Sequence, residues 1–205
     1  VLLIGPTGSG KTPLGDLLEK RGLGDDRCRH FDFGTQLRAI VQRNQPDHLF
    51  SRQDLDFLRQ VLQSGALLEN ERFPIAQRIL QSFLSQPGAA DAITILNGLP
   101  RHVGQAEAVE RQMCMEAVVY LHCTDEIVRA RIGANVGGDR TERQDDDLAS
   151  VRKKLLLFAQ RTSPLVERYR HRGVPIFQID VTAEMSPEVA WQALHARGMR
   201  KAYRQ

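Results

Sequence analysis

Hydrophobic and polar positions alternate between two rhythms along this chain. Predominantly apolar runs recur at Val1 to Ile4, Ala92 to Leu96, Ala117 to Leu121 and Pro175 to Asp180, with a shorter strand-like piece at Arg29 to Phe33. Runs that are apolar at successive positions suit strands buried on both faces, as in a parallel sheet. Between them the apolar positions fall at helical spacing. Leu37, Ile40 and Val41 share one face; Phe57, Val61 and Leu62 another; Ile75, Ile79, Leu80 and Phe83 a third; and Val151, Leu155 and Phe158 a fourth.

Helix ends are marked by their usual chemistry. Gly22 and Gly24 stop a helix over Leu14 to Lys20, and Ser51 reads as the N-cap of a helix reaching Ser64-Gly65. Further helices are predicted from Glu71 to Leu84, Gly104 to Met113, Asp125 to about Ala134, and in one long stretch from about Asp145 to His171. Ser186 and Pro187 open the last helix as N-cap and first-turn proline. Strands alternating with helices predict an α/β fold, a parallel sheet covered on both faces, with a helical insertion over residues 34–86.

The first apolar run leads directly into Gly5-Pro6-Thr7-Gly8-Ser9-Gly10-Lys11-Thr12, the G-x-x-x-x-G-K-T spacing of a phosphate-binding loop. Glycines let the backbone N–H groups turn inward around a phosphate chain, and the helix that follows brings its positive dipole end to the same point. Gly5, Gly8, Ser9 and Gly10 are thus candidate phosphate-binding residues. Lys11 is placed to meet the β- and γ-phosphates, and the Thr12 hydroxyl to meet Mg²⁺. The second strand-like apolar run of the sheet ends in Asn97-Gly98-Leu99-Pro100-Arg101. Ligands collect at the carboxyl ends of strands in open α/β sheets, so Arg101 and Gln105 become ligand candidates.

Composition narrows the possibilities modestly. With 205 residues and 41% hydrophobic content, one compact unit is expected, acting as a monomer. A net charge of +3 is too mild to argue for nucleic acid, and no apolar run approaches a membrane span. Cys28, Cys114 and Cys123 are widely spaced with no C-x-x-C pair, which fits a reducing cytoplasm better than a disulfide framework or zinc site.

With these motifs in order, the chain resembles the adenylate kinase family of nucleoside monophosphate kinases across nearly its whole length. The resemblance implies a P-loop NTPase-type core (1–33, 87–131 and 144–205), a monophosphate-binding cap (34–86) and a short lid (132–143). It implies Mg²⁺-dependent transfer of the γ-phosphate of ATP to a nucleoside monophosphate, most readily AMP, and makes the phosphate chain on Gly5, Gly8, Ser9 and Gly10 that of ATP. Asp32-Phe33-Gly34-Thr35-Gln36-Leu37-Arg38 looks like the family's S-T-G-D-M-L-R, which makes Arg38 a clamp on the acceptor phosphate and places Phe33 beside its base. Gly65-Ala66-Leu67-Leu68 resembles the G-K-L-V segment of the acceptor-base pocket. Asn97-Gly98-Leu99-Pro100-Arg101 with Gln105 resembles D-G-F-P-R-t-x-x-Q, so Gly98 and Arg101 hold the acceptor and Gln105 reads an adenine edge. Arg131 and the Arg143 of Arg143-Gln144-Asp145-Asp146 match arginines at either end of the lid, and both join the proposed catalytic clamp.

Four positions depart from the family pattern. Asn97 replaces an aspartate of the Mg²⁺ shell and is expected to reach the metal through water; Asn135 replaces an ATP-contacting arginine. Lys154 replaces an arginine that reaches the transferring phosphate, and Phe33 replaces a threonine. These departures leave open a nucleotide-binding module with little kinase activity, and a kinase for another small acceptor.

Overall fold

The computed structural model describes residues 1–64, 68, 70–139 and 147–199. The predicted residues Leu67 and Arg143, with Gly65, Ala66 and the Gln144-Asp145-Asp146 segment, lie outside the described residues. Five parallel strands, β1 (Leu2–Ile4), β2 (Cys28–Asp32), β3 (Ile93–Asn97), β4 (Val118–His122) and β5 (Ile176–Asp180), form one sheet in the order β2-β3-β1-β4-β5.

Period-two alternation divides the apolar side chains of this sheet between two cores. Leu2 and Ile4 of β1 point to one face with Phe31, Leu96 and Val118, whereas Val1 and Leu3 point to the other with Ile95, Val119, Leu121 and Ile179. Helices α1 (Lys11–Arg21) and α9 (Pro187–Ala196) cover the second face through Leu14, Leu18, Ala190 and Leu194. The first face is covered by α4 (Phe73–Leu84), α5 (Val103–Glu110) and α8 (Pro164–His171).

The helical insertion comprises α2 (Phe33–Arg43), α3 (Arg52–Ser64) and α4, as its periodicity predicts. Its core is continuous with the first face of the sheet. Leu37, Leu55, Leu58, Leu80 and Phe83 join that cluster, and Phe83 packs edge-on against Phe31 with ring centroids 5.2 Å apart. Ser51 and Asp54 form a reciprocal cap at the start of α3: the Asp54 amide donates to Ser51 Oγ at 3.1 Å, and the Ser51 amide donates to Asp54 Oδ2 at 3.1 Å.

One helix differs from expectation. The long helix predicted from about Asp145 to His171 is α7 (Leu148–Leu157), a π-helical turn over Phe158–Thr162, and then α8. Pro164 has no N–H to continue the ladder, and it begins α8 in the first turn, where none is needed. Asp147 caps α7, its carboxylate accepting from the amides of Ala149 and Ser150 at 3.0 Å each. The helix α6 (Asp125–Ala134) is capped by Thr124. Among the described residues, no helix is long and apolar enough to cross a membrane.

Leu14 is fully buried between α1 and the sheet, while Leu148 is 78% exposed. Leu14→Ala is therefore expected to cost about 2–5 kcal/mol of unfolding free energy. Leu148→Ala should stay within about 0.5 kcal/mol of the parent. Urea denaturation of the two variants checks the core assignment, and equal losses would contradict it.

Candidate active site

The sheet order turns at β1: β3 and β2 lie to one side, β4 and β5 to the other. At its carboxyl end the chain enters Gly5 to Gly10, and α1 starts at Lys11. Gly8 and Gly10 have φ of +75° and +94°, a left-handed conformation that favours glycine. Space enforces the same choice at Gly8, where an added Cβ would lie 2.9 Å from Ile132 Cγ1. Lys11 Nζ donates to the Gly5 and Pro6 carbonyl oxygens at 2.7 and 2.6 Å, which holds the ammonium across the loop. Ser9 is buried behind it.

Arg131 of α6 supports this loop from below. It is only 4% exposed, and its guanidinium donates to the carbonyls of Gly8 (3.0 Å), Thr182 (2.8 Å), Ala183 (3.3 Å) and Met185 (2.8 Å). Burial pushes its pKa down, and the surrounding acidic groups oppose the shift. Nη2 is the edge turned toward the loop, 3.2 Å from where a Cβ on Gly10 would stand. The predicted phosphate clamp is thus largely occupied in tying α6, the loop and the segment after β5 together.

The in-register pairing of β2 with β3 sets Asp32 beside Asn97 at the ends of their strands. Three side chains meet there. Thr12 Oγ1 donates to Asp32 Oδ2 at 2.7 Å, and Asn97 Nδ2 donates to the same oxygen at 2.7 Å and to Thr12 Oγ1 at 3.2 Å. The other Asp32 oxygen caps α2 by accepting from the Thr35 amide at 2.8 Å. Burial alone would raise the Asp32 pKa, but the hydrogen bonds from Thr12 and Thr35 and the nearby His30 outweigh it, and the carboxyl is held below its ordinary range. Asn97 thus presents its N–H₂ group to the carboxylate and to the Thr12 hydroxyl. The sequence signal for Asp32 is a carboxylate that ends a strand of the P-loop sheet.

A cavity of about 260 Å³ joins these groups to the helical insertion. Gly5, Gly8, Gly10, Lys11, Thr12 and Arg131 line it on the loop side; Phe33, Arg38, Leu68, Gly98, Arg101 and Lys154 line it elsewhere. Arg38 is exposed and donates to Thr35 Oγ1 at 3.0 Å. Burial lowers the Arg101 pKa and the Asp32 charge opposes the shift. A guanidinium remains cationic through such a change.

Of two further predicted ligands, Gln105 is buried and Asn135 ends a helix. Gln105, 1% exposed, accepts from the Arg101 amide at 2.9 Å and donates to the Leu68 carbonyl at 2.6 Å, so it pins the arginine turn to the insertion. Asn135 ends α6 in the left-handed conformation (φ 46°), its N–H directed to the carbonyls of Arg131 and Ile132. Thr162, which the periodicity did not single out, donates to the Arg101 carbonyl at 2.7 Å from the π-helical turn.

Mg²⁺ takes hard oxygen ligands and retains several waters. The Thr12 hydroxyl and Asp32 carboxylate are donors of that kind. Among the described residues no cluster of three or more His, Cys, Asp or Glu side chains could hold a metal, so a cation here would be completed by phosphate oxygens and water.

No protein-family model matches the chain. Curated proteins do. The chain is 32% identical over 188 residues to an adenylate kinase of Synechococcus sp. (strain CC9311), covering 85% of this chain and 86% of that one. It is 30% identical over 178 residues to an adenylate kinase of Xanthomonas campestris pv. campestris (strain 8004), with 84% and 86% covered. An adenylate kinase of Haloarcula marismortui is 26% identical over 221 residues, with 95% and 94% covered.

Arg131→Ala removes a guanidinium that serves carbonyls on two segments, and hydrogen bonds to charged groups contribute about 1.5–3 kcal/mol each. A loss of at least about 3 kcal/mol in unfolding free energy is expected, read by urea denaturation without nucleotide. A loss below about 1 kcal/mol would place Arg131 outside the supporting frame of the loop.

Proposed function

This chain belongs to the adenylate kinase family, phosphotransferases of the nucleoside monophosphate kinase type, and on that premise we propose that it transfers the γ-phosphate of ATP to AMP, giving two ADP. The observation that carries the reading is the single cavity that has the phosphate-binding loop at one side and Arg38 with Arg101 at another. It provides for a triphosphate and a second anionic group in one space.

In this reading the loop amides and the dipole of α1 take the ATP phosphates. Lys11 leaves the carbonyls of Gly5 and Pro6 for the β- and γ-phosphates, exchanging neutral acceptors for anionic ones. Arg38 and Arg101 hold the acceptor phosphate, and Phe33, Leu68 and Gly98 border its nucleoside. An acceptor oxygen forms a new bond to the γ-phosphorus as the bond to the ADP oxygen breaks. That oxygen is already anionic near neutral pH, so no general base is required. Catalysis is then in-line placement and neutralisation of the equatorial charge, to which Lys11, Arg101, Arg131, Lys154 and Arg143 contribute. Mg²⁺, when bound with ATP, neutralises charge on the phosphates.

We assign the cap to 34–86, the lid to 132–143 and the core to the remainder, and infer that closure of the first two excludes water from the transferring group. Lys154 supplies charge from α7 without the planar fork of an arginine, which orients less strictly. Gln105, already engaged by Arg101 and Leu68, reads an adenine edge only by exchanging one of these partners. We further place the protein in the cytoplasm as a monomer; its free cysteines Cys28, Cys114 and Cys123 suit a reducing compartment.

Coupled assays with ATP and each of AMP, GMP, CMP and UMP test the acceptor, with the highest kcat/KM expected for AMP. Lys11→Ala should lower turnover by roughly 10²–10³-fold, the effect of removing one stabiliser of transition-state charge. Near-normal turnover in that variant would refute the loop assignment. Tight nucleotide binding with no turnover on any acceptor would instead favour the binding-module reading.

A further inference from the structure

We propose that the anionic member of the metal shell has changed strands in this chain: Asp32, at the end of β2, takes the part of the carboxylate that Asn97 lacks at the end of β3, and Asn97 positions it. The proposal deepens the kinase reading and rests on it. The motifs resembled by these two strand ends carry serine and aspartate, where this chain carries Asp32 and Asn97. At these two positions each arrangement has one carboxylate, while the aspartate that S-T-G-D-M-L-R carries three residues further on is Thr35 in this chain. Parallel pairing in register puts the two positions side by side, so the exchange moves the charge across one strand spacing while keeping it beside Thr12.

The hydrogen bonds explain why the two changes belong together. Asn97 Nδ2 reaches Asp32 Oδ2 at 2.7 Å. An aspartate at position 97 would set two carboxylates in contact, and one of them would have to take a proton or turn away. The amide removes that repulsion and supplies a donor. The bond also fixes the Asn97 orientation, because the flipped amide would aim its oxygen at the carboxylate.

Asp32 acts on Thr12 as well. By accepting the hydroxyl proton at 2.7 Å, it leaves an Oγ1 lone pair of Thr12 for a cation and raises the electron density there. Asp32 keeps lone pairs for a metal-bound water, since an ionised carboxylate has about four acceptor sites and three protein donors are assigned here. Thr12 and Asp32 both line the cavity. Asp32 is therefore a positioning residue for the metal's water shell and for Thr12.

Binding of a non-hydrolysable ATP analogue, titrated calorimetrically with and without Mg²⁺, tests this independently of turnover. Asp32→Asn preserves a good N-cap for α2. It should lose most of the metal-dependent gain in affinity, about 10-fold or more, while metal-free affinity stays level or rises as a negative charge leaves the triphosphate site. The double variant D32S/N97D returns the carboxylate to the end of β3 and should recover most of the gain. Thermal melting verifies that each variant folds. Electron paramagnetic resonance with Mn²⁺ as the probe should show weaker metal retention by the D32N–analogue complex and recovery in the double variant. A D32N protein with the full metal-dependent gain, equal losses with and without metal, or no gain in the parent protein would each overturn the proposal. Failure of the parent to bind the analogue at all would instead refute the kinase reading beneath it.

Discussion

The glycine-rich loop Gly5 to Gly10 keeps its shape because a buried guanidinium stands beneath it. Arg131 joins Gly8 to Thr182, Ala183 and Met185, and so connects the end of the central strand, α6 and the turn after the edge strand β5. Carbonyl oxygens directed at one another would repel; a cation among them satisfies several with one group. The cost is burial of a charge, visible as the downward pressure on its pKa. Positive charge beside the loop also remains available to an anionic ligand.

A second balance of charge lies a few residues away. Asp32 is partly buried and ionised, with Thr12, Thr35 and Asn97 as donors and Arg101 near enough to feel its field. The carboxylate would be repelled by a bare triphosphate, whereas the cations Lys11, Arg38 and Arg101 border the same cavity. Carboxylate and cations thus face one cavity. This matches a family whose chemistry is placement and neutralisation of charge.

The insertion and the core are coupled in packing as well as in chemistry. Gln105 links Arg101 to Leu68, and Thr162 links Arg101 to the π-helical turn, so the arginine turn is held from two directions. The turn Phe158–Thr162 also accounts for the break in a helix that periodicity alone carried through: the apolar spacing of Val151, Leu155 and Phe158 persists up to the point where Pro164 begins a new helix. Period counting senses which face is apolar. It does not sense a local change in hydrogen-bond register, such as the Ser163 amide donating to the carbonyl of Phe158 five residues back.

The sequence by itself determined the parallel sheet, the phosphate loop, the order of the helical insertion and the family resemblance, because these rest on local spacing: apolar runs, glycines at fixed intervals, caps and prolines. It also marked Lys11, Thr12, Arg38 and Arg101 as residues that the fold then gathers around one cavity. Only the tertiary structure decided that Arg131 is enclosed by carbonyls, that Gln105 faces Leu68 and Arg101, and that Asn135 ends a helix. It alone brought Asp32 to Thr12 and Asn97, across 20 and 65 positions of chain. Strand register makes those contacts, and register depends on how distant segments pack; the change of one aspartate to Asn97 reads as a loss until its neighbour on the adjoining strand is seen.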